Sequence, residues 1–138
     1  MSNKTKKILF LISNAFVPLL LGLAIYVFMK NGTYINSFLG VEFNYSPKTV
    51  LGIFIANWFC DFLWSYALVF ALYLVLSPFK NNLIFSCVTS ALLGLILELL
   101  QGTNILSGTF DWWDIIIEIV AVIIALLILK KTNKKDDS

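Results

Sequence analysis

The chain has 138 residues, 59% hydrophobic and only 13% charged, with a mean hydropathy of +0.88 and a net charge of +2. A water-soluble domain of this size could not cover so much apolar surface, so the bilayer is the expected solvent and a single membrane domain, 1–138, the expected organisation. All the basic residues are lysines, and no polar, arginine-bearing face exists to grip a phosphate backbone, which sets nucleic-acid binding aside.

Four apolar runs predict an all-α protein, a four-transmembrane-helix bundle with spans Ile8–Met29, Val50–Leu76, Leu83–Leu100 and Trp112–Leu129. Each is close to the ~20 residues that cross a ~30 Å hydrocarbon core as a helix, and strand alternation is absent. The first run follows Lys4, Lys6 and Lys7 and is longer than a signal-peptide core, with no small-residue cleavage site at its end, so it reads as a span. Within it, Pro18 has no N–H and leaves the Asn14 carbonyl without its helical donor; a kink satisfied by neighbouring helices is the expectation. Residues 30–48 form the longest loop, with turn signals at Asn31-Gly32 and Ser46-Pro47.

The second run carries Asn57, Asp61 and Ser65, which share a face at ~100° per residue. Counted from Val50, Asp61 lies ~16 Å down the helix, near the midplane. An ionisable side chain at that depth is expensive, which makes Asp61, with Asn57 above it, a candidate proton or ion site. The structural alternative is a protonated Asp61 bonded within the bundle. A short turn at Ser77–Asn82 leads into the third run, where Cys87, Ser90, Gly94, Glu98 and Gln101 fall within an arc of ~80°. Ser90 and Gly94 are small enough to let another helix approach closely. Cys60 and Cys87 fall inside spans and read as packed thiols, with neither disulfide nor metal-type spacing.

After a turn without lysine, Asp111, Asp114, Glu118, Ala121 and Ala125 fall within another ~80° arc. Asp111 at a helix start reads as a cap, alongside any other role, and Trp112-Trp113 as an interfacial anchor. Residues 130–138 read as a short, disordered charged tail.

Lys4, Lys6, Lys7, Lys80, Lys130, Lys131, Lys134 and Lys135 fall on one side of the bundle, and only Lys30 and Lys48 on the other. The positive-inside rule then places both termini in the cytoplasm of a multi-pass protein of the cell (inner) membrane. In that orientation Glu98, Gln101, Asp111, Asp114 and Glu118 lie in the outer half of the bilayer, with Asp61 beneath them. Intramembrane carboxylates usually pair with basic groups, yet the spans contain no Lys, Arg or His. Three outcomes stay open: protonated acids, a metal held by hard oxygen ligands, or a water-filled cavity that receives a cationic group. No cofactor motif is present. Paired acids can serve general acid–base chemistry, but no nucleophile, histidine or phosphate loop names a reaction, so no catalytic residue is assigned and an enzyme is not the leading reading.

Glu98-x-x-Gln101, a short turn and Asp111-x-x-Asp114, with Glu118, Ala121 and Ala125 beyond, resembles the VanZ-like family of small bacterial membrane proteins. Its pattern continues with Asn, Gly and Gly where this chain has Glu118, Ala121 and Ala125, and the arginine often found in the turn is absent here. The likeness covers roughly the last third of the chain. It implies an inner-membrane protein of the cell envelope, a family some of whose members are associated with antibiotic resistance of the teicoplanin type.

The leading expectation is therefore an outer-leaflet acidic pocket, Glu98, Gln101, Asp111, Asp114 and Glu118, that binds an ion or a cell-wall precursor headgroup. The rival is a proton-coupled transporter or flippase component routed through Asp61. Four spans are expected to enclose little cavity, so transport would call for a homodimer or another partner.

Overall fold

The computed structural model describes residues 2–29, 38, 40, 47–103, 105–106 and 110–134. Four helices, all long and apolar enough to cross a membrane, make up the fold, and no strand occurs among the described residues. They are α1 (Asn3–Met29), α2 (Val50–Val75), α3 (Asn82–Gly102) and α4 (Trp112–Lys134). The turn expected at Asn31-Gly32, most of the 30–48 loop and the end of the tail at 135–138 lie outside the described residues.

The helices run beyond the apolar runs because basic residues extend them. At the start α1 takes in Lys4, Lys6 and Lys7. At the other end α4 continues through Lys134 instead of fraying at Leu129. Lys131 and Lys134 in its last turn meet the negative end of the helix dipole. The disordered tail expected from residue 130 is thus helical as far as 134.

Packing centres on α2, which touches each of the other three helices; α3 also packs on α4, whereas α1 and α3 make at most marginal contact. The close-packed core lies toward the ends of α1 and α4 that carry most of the lysines, and joins Leu11, Ala15, Val69, Phe70, Ala121, Ala125 and Leu129. Ala121 and Ala125 are fully buried, so the small residues on that stripe let α4 approach its neighbours. A run of rings on α2 (Phe59, Phe62, Tyr66, Phe70) continues into Phe10 of α1.

Among the described residues, polar contacts hold α1 to the rest at several levels of the bundle. Near one end the Cys60 thiol donates to the Gly22 carbonyl at 3.3 Å, so this buried thiol is a hydrogen-bond donor as well as a packing group. At mid-helix the Tyr66 hydroxyl donates to Asn14 Oδ1 at 2.6 Å while Asn14 Nδ2 donates to the Phe10 carbonyl at 2.9 Å. Both bonds use the Asn14 side chain, and α1 runs unbroken through Pro18. At the lysine-rich end Asn133 Oδ1 accepts from both Lys7 Nζ (3.1 Å) and the Tyr73 hydroxyl (3.0 Å). Gly22 allows the close approach, because a Cβ there would overlap the Trp64 indole.

One irregularity matters for the site. Between Val50–Phe54 and Cys60–Val75, residues Ile55–Phe59 form a π turn. Such turns carry an inserted residue and rotate the two flanking helical segments relative to each other.

Candidate functional site

A cavity of about 730 Å³ borders the core at Ala15 and extends toward the α3–α4 turn. Residues of all four helices line it. From α2 come Asp61, Trp64 and Ser65; from α3 Ser90, Gly94, Glu98 and Gln101; from α4 Asp114 and Glu118. The α1 wall, Ala15, Phe16, Leu19 and Tyr26, is apolar apart from one phenol. The expectation that four spans enclose little space is therefore corrected: the volume exists because α1 leans on α2 and leaves a gap to α3.

Ser90, Gly94, Glu98 and Gln101 of α3 recur every three or four residues and so share one face, with Leu93 and Leu97 beside them in the lining. Its small members have particular uses. Ser90 Oγ donates to the Ser65 carbonyl at 3.3 Å, which fixes α3 against α2. Gly94 makes room for an acid: a Cβ there would overlap the Glu118 carboxylate. The Glu118 carboxylate thus lies directly over the α3 backbone, in the neighbourhood of Ser65, Asp61, Glu98 and Asp114.

Glu98 is buried, 6% exposed, about one turn before the end of α3. Its Oε2 accepts from the Asp111 amide at 3.3 Å. Among the described residues no donor to Oε1 is found, so the buried carboxylate is hydrogen-bonded through one oxygen there. Burial of such a group is costly unless something meets it.

Asp111 takes the capping role. Its Oδ1 accepts from the Trp113 amide at 2.9 Å, and its carbonyl accepts from the Asp114 amide at 3.2 Å. It does not line the cavity; it shapes the site through its amide, which holds Glu98. Asn57 is also displaced from its expected place. It sits in the π turn, is exposed, and is not among the lining residues, because the inserted residue turns it away from the face of Asp61 and Ser65. Of the residues expected to form the site, the structure brings together Glu98, Gln101, Asp114, Glu118 and Asp61, and leaves out Asp111 and Asn57.

Family models, curated proteins and solved structures alike hold no match to this chain.

No arrangement of three or more carboxylates, thiols or imidazoles suited to a metal ion occurs among the described residues. The cavity nonetheless gathers four carboxylates, and none of its described lining residues is basic. Tyr26 and Trp64, with ring centroids 6.0 Å apart, add two π faces to one wall. No motif points to these two. Ser65 was legible from its i+4 spacing to Asp61, whereas nothing in the sequence pattern singles out Tyr26. Chemically the arrangement suits the capture of positive charge: anionic oxygens from three helices, an aromatic wall, and apolar surface beside them.

Proposed function

We propose that this protein is a multi-pass protein of the cell membrane whose acidic cavity binds a cation or the cationic group of an envelope ligand. The observation that carries the reading is the meeting of Asp61, Glu98, Asp114 and Glu118 around one cavity whose described lining has no basic residue. The lysine distribution supports cytoplasmic termini and hence a cavity on the outer side. The motif likeness to VanZ-like proteins supports an envelope role and makes teicoplanin sensitivity of expressing cells a phenotype to measure. Thermal unfolding of the purified protein with added ethylammonium or Mg²⁺ tests the binding. Stabilisation that is weakened by Glu98→Gln and by Asp114→Asn is expected; no stabilisation by either cation would remove the proposal.

A second reading, proton-coupled transport, is favoured by one observation: Asp61, ~16 Å from the start of α2, lines the same space as the acids nearer the helix ends. It requires that Asp61→Asn abolish pH-dependent flux in vesicles at normal expression. Simple binding leaves that variant close to the unaltered protein.

A further inference from the structure

The walls of the cavity identify the ligand class more closely than its charge does. At about 730 Å³ the space is far larger than a bare ion requires and falls in the range of sites for organic ligands. Its two ends differ in chemistry. Glu98 and Glu118 lie ~6 to 9 Å from the helix ends at the α3–α4 turn, whereas Phe16, Leu19, Leu93 and Leu97 line the side between α1 and α3. These four apolar residues line the cavity and yet are 41–58% exposed. They sit within apolar spans, and α1 and α3 make at most marginal contact, so the gap between the two helices faces the bilayer and not water. The cavity therefore opens sideways into lipid through the gap between α1 and α3.

Resting on the acidic-cavity reading, we infer that the ligand is a membrane-borne amphiphile with an ammonium head and a hydrocarbon chain, admitted through the α1–α3 gap. The head sits between Glu98 and Glu118, where the two carboxylates supply charge-assisted hydrogen bonds. Tyr26 and Trp64 offer π faces to the same charge. The chain lies along Phe16, Leu19, Leu93 and Leu97 and completes the bundle where α1 and α3 fail to meet. An anionic head would meet four carboxylates, and a free ion would leave the apolar side of the cavity unfilled.

The test uses the full chain in nonionic maltoside micelles and a dodecylammonium probe with a mid-chain diazirine. A matched dodecanol probe, which enters the micelle but carries no charge, is the control. Photolabelling read by mass spectrometry is expected at Phe16, Leu19, Leu93 or Leu97. The ammonium probe should label these positions about ten- to a hundredfold more than the alcohol, the ratio for charge-assisted bonds worth about 1.5–3 kcal/mol. Glu118→Gln should reduce that ratio; because the comparison of two heads is made on the unaltered protein, a poorly folding variant does not blunt it. Equal labelling by both probes, or labelling confined to the outer helix faces, overturns the inference. If ethylammonium stabilises the protein while the dodecylammonium probe stays out of the α1–α3 gap, the acidic site stands and the lateral chain groove falls. If neither ammonium compound binds, both readings fall.

Discussion

The Glu118 carboxylate over Gly94 permits a stringent test of the site's geometry. Gly94→Ala places a methyl group where that carboxylate lies, and the carboxylate must swing away from its place over the α3 backbone. Forcing a group into a filled site in this way costs about 1–3 kcal/mol. Replacing Gly by Ala inside a helix returns about 0.5–1 kcal/mol. Gly94→Ala is therefore expected to destabilise the protein by up to about 2.5 kcal/mol. In a Glu118→Ala background the obstruction is gone, and the same Gly94→Ala change becomes stabilising by about 0.5–1 kcal/mol. SDS-titrated unfolding in mixed micelles measures all four corners of this double-mutant cycle. The coupling energy should be about 1–3 kcal/mol; additivity within about 0.5 kcal/mol would show that the two side chains do not share this space.

Other consequences are as direct. Asp111→Ala should cost about 0.5–2 kcal/mol through loss of the cap, whereas Asp111→Asn keeps a capping oxygen and leaves cation-induced stabilisation in place. If Asp111→Asn abolishes that stabilisation, Asp111 is a ligand-binding group and the capping assignment is incomplete. Tyr66→Phe removes the donor to Asn14 and should cost about 0.6–1.7 kcal/mol; unchanged unfolding would show that the hydroxyl bond contributes nothing. Cys60 and Cys87 are buried, so labelling of single added cysteines by an impermeant maleimide can report sidedness. Thr103→Cys should react in intact cells and Asn81→Cys only after lysis, and the reverse pattern would place the acidic cavity on the cytosolic side.

The number and positions of the spans were legible because ~20-residue apolar runs have few alternatives. Much of the site was legible for a related reason. Charges in such runs are conspicuous, and the spacings Glu98–Gln101 and Asp114–Glu118 put each pair on one helix face. What failed was regularity. Asn57 was placed on the face of Asp61 by a constant 100° step, and the π turn at Ile55–Phe59 breaks that step locally. Ile55-Ala56-Asn57-Trp58-Phe59 contains neither Pro nor Gly to announce it. The cavity wall from α1 was illegible for a different reason. In a helix that is apolar almost all round, hydropathy does not tell which face meets protein and which meets lipid. The gap between α1 and α3, and hence the volume of the cavity, depends on that choice.

Asn133 has a consequence for how the molecule is assembled. Its amide oxygen joins Lys7 and Tyr73, residues that enter the membrane long before it during synthesis. The Gly22–Cys60 and Asn14–Tyr66 contacts need only the first two helices, so a provisional hairpin can dock early. The clasp between the first helix and the last waits for 126 further positions of chain after Lys7. Until α4 arrives, the leading helix is held along part of its length only, and completion of the bundle is a biogenetic step that a single late amide closes.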